Sequence, residues 1–145
     1  MADISGKSAT KRIAIAQARV FMKDATLKKL IKGQIPKGDV LACAKVAGIM
    51  AAKKTSELLP LCHPLEIANV KLEFDIDETK ACILVKAIVS VLGRTGVEME
   101  ALTAASIASL TIYDMCKPVD RDIVISDIML LEKSGGKSGI YKRQG

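Results

Sequence analysis

Residues suited to acid–base chemistry stand at the two ends of one uncharged stretch. Residues 93 to 117, GRTGVEMEALTAASIASLTIYDMCK, carry Arg94, Glu98 and Glu100 at one end and Asp114 and Lys117 at the other. Between Glu100 and Asp114 the only ionisable group is the phenol of Tyr113. A helix that is apolar or small all round is a buried helix, and a charge where it emerges must be paired, hydrated or in use. Asp114 and Lys117 are three apart and so share a helix face, which permits an ordinary ion pair worth about 0.2–0.5 kcal/mol when exposed. Partly buried, the same pair shifts both titrations and supplies an acid or a base. Glu98 and Glu100 sit where a helix dipole favours acids, which accounts for one of them. They diverge by roughly 200° around the axis, so that one can face a ligand while the other holds Arg94 or a lysine.

Other candidates are scattered. Lys37, in IPKGD, lies just ahead of a helix N-terminus, a usual place for an anion contact, though an ordinary loop lysine fits equally. His63 is the only histidine, in LCHP beside Cys62. It has no identifiable partner for a nucleophilic triad, the two neighbours make poor joint metal ligands, and a structural histidine is the alternative. Lys53 and Lys54 end a helix, where cations offset the macrodipole. Gly135, Gly136, Lys137 and Ser138 imitate a phosphate loop, but a Walker pattern needs glycine at 131, which is Leu131. With Lys133 the tail could still close over an anion as a flap, or be simply solvated.

The elements that must position these residues follow from periodicity. KRIAIAQARVFM alternates with period two and places Ile13 and Ile15, with Val20 and Met22, in a first strand. DATLKKLIK makes a short helix from Asp24, closed by Gly33. Asp39 caps a long helix that ends before Pro60, with apolar positions 40, 41, 46, 49, 50 and 58 facing a core. A strand near 65–76 and its partner from KACILVKAIVSVLG form a hairpin, the buried helix follows, and RDIVISDIMLLEK gives the last strand. This order predicts an α+β fold, the ferredoxin-like split βαβ arrangement, with helices on one face of an antiparallel sheet. One domain spans 1–145, with 1–9 and 134–145 expected to be flexible.

Glu98 and Asp114 are 16 residues apart, hence about 24 Å along a straight helix, too far to touch one small substrate. If both ends act, a site must combine ends from two subunits. The stripe Ala101, Ala104, Ala105, Ser106, Ala108 and Ser109 is then expected to be the two-fold contact.

Composition narrows the partners. The net charge of +6, from 22 Lys and Arg against 16 Asp and Glu, favours anionic ligands. The lysines are dispersed and only two Phe and two Tyr are present, so nucleic-acid binding is disfavoured against a small phosphorylated ligand. No leader-like segment and no apolar run of about 18 residues is present, and the four cysteines contain no C-x-x-C pair. A reducing cytoplasmic setting with buried thiols is expected, and no membrane association.

Taken together, KGDVLACAKVAGIMAAKKTSELLPLCHPL, the 93–117 stretch and KSGGKSG resemble the cyclic pyranopterin monophosphate synthase family, the molybdenum cofactor biosynthesis protein C, from about Asp3 to Gly139. The resemblance implies a lyase that converts 3',8-cyclo-7,8-dihydroguanosine triphosphate into cyclic pyranopterin monophosphate and diphosphate. It implies a ferredoxin-like fold and a homohexamer, a trimer of dimers with active sites at the dimer interfaces. No redox cofactor is implied, and Mg²⁺ with the triphosphate is compatible. Asp114 matches the catalytic aspartate, and Lys37 and Lys117 match acid–base lysines. Leu61, Cys62 and His63, with Met99 and Glu100 and the neighbouring Glu98, match substrate-binding segments. Arg12, Lys53, Lys133 and Lys137 resemble triphosphate and guanine contacts. A non-catalytic nucleotide-binding or scaffold protein of the same fold is the alternative.

Overall fold

A computed structural model describes residues 1–145. The elements are β1 (Thr10–Phe21), α1 (Asp24–Ile31), α2 (Val40–Lys53), α3 (Thr55–Leu58), β2 (Ile67–Asp77), β3 (Cys82–Gly93), α4 (Glu98–Cys116), β4 (Val124–Ser134) and β5 (Tyr141–Lys142). The strands form one antiparallel sheet in the order β2-β3-β1-β4-β5. The first four strands have the ferredoxin-like order expected from the sequence. The two-residue β5 is an addition that periodicity does not reveal, formed as the glycine-rich segment turns back so that Lys133 pairs with Tyr141.

The sheet covers its helix-bearing face with alternate residues. On β1 these are Ala14, Ala16, Ala18 and Val20, and on β3 Ile83, Val85, Ala87, Val89 and Val91, all buried. Ile13 and Ile15 belong to β1 as expected but point to the other face, half-buried. Alanine is what fits on β1 because α4 crosses directly over it.

α4 is the buried helix that its sequence describes, but its small residues serve a different contact from the one expected. Ala101, Ala104, Ala105, Ala108 and Ser109 are fully buried within this one chain, against the sheet and α2, so they are not a surface for a second copy. Only Ser106 of that stripe is partly exposed. The matching face of α2 is also small, with Ala44, Gly48, Ala51 and Ala52 buried. A Cβ on Gly48 would lie 3.1 Å from the Ala104 carbonyl oxygen and from Leu72, so glycine sets the closeness of the crossing.

This packing rotates α2 relative to the sequence-based expectation. Val40 is buried and Leu41 and Ile49 pack against the core, but Val46, Met50 and Leu58 are more than half exposed. The helix interface selects small residues, leaving the larger ones outside. The long helix also breaks at Lys54 into α2 and α3. Asp39 caps α2 as expected, its carboxylate accepting the Ala42 N–H at 3.1 Å. Gly33 ends α1 with φ +68°, a conformation that suits glycine.

A buried carboxylate ties α1 to the turn after α4. Asp120 accepts from the Lys23 N–H at 3.0 Å, the Thr26 hydroxyl at 2.9 Å and the Asp122 N–H at 3.0 Å. Burial opposes its ionisation, but these donors outweigh burial and hold its carboxyl below the usual range.

Candidate active site

The connectivity sends two groups of chemical residues to opposite ends of the sheet. α2 and α4 pack side by side, with the C-terminus of α2 leading through α3 to the cleft at the N-terminus of α4. The start of α2, preceded by Lys37, reaches the C-terminus of α4.

At that C-terminus the three residues expected to carry acid–base chemistry meet. Asp114 Oδ1 lies 3.1 Å from Lys117 Nζ and Oδ2 lies 3.2 Å from Lys37 Nζ, while Lys37 also donates to the Asp114 carbonyl at 3.1 Å. One carboxylate thus bridges two ammonium groups. The hydrogen bond from Lys117, then the bond and charge of Lys37, hold the Asp114 carboxyl below its ordinary range. The group is open to solvent, so the pairs contribute little to stability. What they provide is a fixed anion with two proton-bearing nitrogens beside it, on the surface where a ligand can reach them.

The other end holds a cleft of about 520 Å³ lined by Leu61, Cys62, His63, Glu98, Met99 and Glu100, with Thr95 and Gly96 among its other walls. Glu98 and Glu100 diverge as the helical angle requires. Glu98 pairs with Lys133 at 2.8 Å rather than with Arg94. Glu100 turns inward to 2 % exposure, where Cys62 Sγ–H donates to Oε2 at 3.8 Å. Its Oε1 is buried without a partner. Burial pushes the Glu100 carboxyl up, and burial followed by the adjacent Glu100 charge pushes the Cys62 thiol up. His63 Nε2 donates to the carbonyl of Ala2 at 2.7 Å.

Beside this cleft is a cationic cradle of about 410 Å³, lined by Lys7, Ser8, Thr10, Arg12, Gly136, Lys137 and Ser138. Arg12 is 9 % exposed, has no carboxylate partner, and is oriented by donating Nε–H to the Gly93 carbonyl at 2.9 Å. Thr10 Oγ1 is buried and unpartnered. A Cβ on Gly136 would overlap the Arg12 guanidinium, so only glycine lets the tail close over it at φ +76°. Buried positive charge and a free hydroxyl, with no hydrophobic lining, suit a phosphate-like anion.

Arg12, Lys133 and Lys137 are therefore gathered near the Glu98–Glu100 cleft, and Lys53 stands at the same end of the molecule, exposed and without an ion pair. The structure does not bring these residues to Lys37, Asp114 and Lys117, because α4 separates them. Lys7, Ser8 and Thr10 escaped the sequence reading, whereas Ser138 entered it only as part of the rejected phosphate loop and the possible anion flap. The signal they offered was polar residues flanking the first strand and the Gly-Gly pair, legible only once β1 and the tail are neighbours.

No cluster of three or more His, Cys, Asp or Glu side chains could hold a metal ion, so the donor set gives no protein cage for Mg²⁺. All four cysteines are free. Cys82 and Cys116 are buried, the latter with its thiol pushed up to about 11 by burial, whereas Cys43 is exposed, against the expectation of buried thiols. No helix is long and apolar enough to cross a membrane.

A ferredoxin-like α+β chain with a Lys–Asp–Lys group, a carboxyl-lined cleft and an anion cradle is built as an enzyme for a small anionic substrate. The profile of the MoaC family matches residues 1–136. The chain is 56 % identical over 144 residues to the cyclic pyranopterin monophosphate synthase of Thermoanaerobacter pseudethanolicus, covering 99 % of this chain and 91 % of that protein. It is 56 % identical over 144 residues to the protein of that name from Heliobacterium modesticaldum, with the same shares covered. To the one from Syntrophomonas wolfei it is 59 % identical over 139 residues, covering 96 % of this chain and 88 % of that protein. The chain belongs to the MoaC family and is an enzyme of molybdenum cofactor biosynthesis, a lyase.

Proposed function

We propose that the enzyme converts 3',8-cyclo-7,8-dihydroguanosine triphosphate into cyclic pyranopterin monophosphate, releasing diphosphate. The observation that carries this reading is the Asp114 carboxylate bridging Lys37 and Lys117 at 3.1–3.2 Å. Opening the guanine-derived ring breaks a C–N bond whose nitrogen takes up a proton, closing the pterin ring forms a new C–N bond whose nitrogen gives one up, and ammonium groups fixed against a carboxylate can give and recover those protons in place. In forming the cyclic phosphate, a sugar-derived hydroxyl oxygen bonds to the α-phosphorus as the bond to the β-phosphate oxygen breaks. The hydroxyl proton passes to a basic nitrogen or carboxylate, and diphosphate departs as an anion.

The Arg12 cradle, with Lys133 at its border, supports a role for this end in holding the phosphates, where fixed cations offset the charge that grows on the leaving group. The Leu61–His63 and Glu98–Glu100 cleft then takes the ring. Mg²⁺, where it accompanies the substrate, rides on the phosphates. Because α4 holds the two groups about 24 Å apart, a complete site takes its cleft from one subunit and its Lys–Asp–Lys group from another. A dimer-interface site within a hexamer, a trimer of dimers, is the assembly that this reading adopts. The test is to supply the cyclised GTP intermediate to purified protein and look for diphosphate and the cyclic monophosphate. Folded, oligomeric protein that yields neither product refutes the reading.

A further inference from the structure

The segment ahead of β1 touches both pockets at this end of the molecule. Residues 2–8 carry a bend in which Asp3 Oδ1 accepts the Ser5 N–H at 2.9 Å and the Ser5 hydroxyl at 2.7 Å, while the Lys7 N–H donates to the Ile4 carbonyl at 3.1 Å. On one side of the bend Ala2 lines the cleft, its carbonyl accepting from His63 Nε2 at 2.7 Å. On the other side Lys7 and Ser8 line the cradle with Arg12 and Lys137. Lys7 forms no ion pair. All of residues 2–8 are exposed except the half-buried Ile4, so little packing holds them down, and segments of that kind open most readily.

We propose that residues 2–8 form a strap that closes over the cleft when a phosphate-like anion enters the cradle, because the anion is then gripped at once by Arg12 on β1 and by Lys7 on the strap. A single exposed hydrogen bond to His63 holds the tip only weakly. An anion that meets its second cation only when the strap is down binds the closed form better, and by that difference shifts the population towards it. The coupling is reciprocal, so whatever steadies the tip over the cleft also tightens the anion. What the strap encloses rests on the proposed function, with the ring in this cleft and the phosphates in the cradle. A reaction that opens one ring and closes another gains from such a cover, which excludes water and keeps the opened intermediate from leaving.

The test uses inorganic diphosphate, which carries no ring to fill the cleft, and reads the cleft through the rate at which iodoacetamide alkylates Cys62. Cys62 lies in the cleft wall, and the exposed Cys43 on α2 is the internal control, the two being resolved by peptide mass spectrometry. Saturating diphosphate is expected to slow alkylation of Cys62 several-fold and to leave Cys43 unchanged. Asp3→Ala, at an exposed position of the full-length chain, removes both bonds of the bend and should lose most of that protection. Asp3→Asn keeps an acceptor there and should retain it. By reciprocity, Asp3→Ala should weaken diphosphate binding roughly two- to tenfold in calorimetry, although the loss of a negative charge would by itself favour an anion.

Protection of Cys62 that is absent from the wild type at saturation, or undiminished in Asp3→Ala, overturns the proposal, as does a diphosphate affinity that does not fall in Asp3→Ala. A wild type that binds no diphosphate overturns it too. The two readings fail separately. Turnover of the cyclised GTP intermediate without strap-dependent protection of Cys62 sinks only the strap, whereas that protection without turnover sinks only the proposed reaction.

Discussion

Subunit complementation tests the consequence of α4 most directly. Glu98→Ala releases Lys133 at one end of the helix, and Asp114→Ala removes the carboxylate between Lys37 and Lys117 at the other. Each variant alone should lose activity, with Asp114→Ala losing roughly 10²- to 10⁴-fold, the usual scale of a general acid–base contribution. The helix runs from Glu98 to Cys116 without interruption, so the two positions are held about 24 Å apart and one substrate does not span them within a chain. If a site draws one end from each subunit, a mixed dimer carries one doubly altered site and one intact site. Random pairing of equal amounts makes half the dimers mixed, so about one quarter of the wild-type site activity should return after subunit exchange. The assay is diphosphate release from the cyclised GTP intermediate, before and after mild dissociation and reassociation of the mixture. Recovery near background, in a mixture shown by native mass spectrometry to contain mixed oligomers, refutes the two-subunit site. Recovery without subunit exchange would refute it as well.

Further perturbations separate the chemistry from the scaffold. Ala104→Leu forces a larger side chain into the seam with Gly48 and should destabilise the fold by about 1–3 kcal/mol, read from urea denaturation. Asp114→Asn should leave the thermal midpoint nearly unchanged, because its ion pairs are exposed, while kcat falls steeply. Asp120→Ala strips three donors of a buried acceptor and should cost about 1–3 kcal/mol. Because the folded Asp120 carboxyl titrates below its unfolded value, its contribution is present above the ordinary Asp range and is lost as pH falls through the folded value; unfolding curves of wild type and variant should converge in acid. Glu100 has the opposite sign: its carboxyl is raised by burial, so stability falls as pH rises through and beyond the ordinary Glu range. Glu100→Gln should therefore stabilise the ligand-free protein at neutral pH by about 1 kcal/mol while weakening turnover, as thermal melts and kinetics together would show.

Strong periodicity made the element order legible, and spacing made the Asp114–Lys117 pair legible, since three residues on a helix fix a shared face. The Lys37 contact crosses 77 residues of sequence, and only the antiparallel packing of α2 against α4 creates it. The outward turn of Val46 and Met50 was concealed for a related reason. Hydrophobicity marks what can be buried, whereas the close crossing at Gly48 and Ala104 chose alanine and glycine for the interior. Thr10 and Lys7 could not be joined to Lys137 because β1 and the tail meet only through sheet pairing around Arg12.

The small residues of α4 acquire their functional meaning from this correction. As an exposed stripe they would have been a sliding surface for a partner; fully buried between α2 and the sheet, they make the helix a rigid strut. A strut fixes the distance between its ends, and distance is what a shared site needs. The Glu98–Glu100 cleft and the Lys–Asp–Lys group can face complementary groups on neighbouring copies only if each chain presents them at a constant separation and angle. On the proposed shared site, core packing at Ala104 bears on catalysis at both ends of α4. A mild overpacking such as Ala104→Val should disturb kcat in exchanged oligomers beyond what its loss of stability explains, because a tilt of the strut misplaces two half-sites at once.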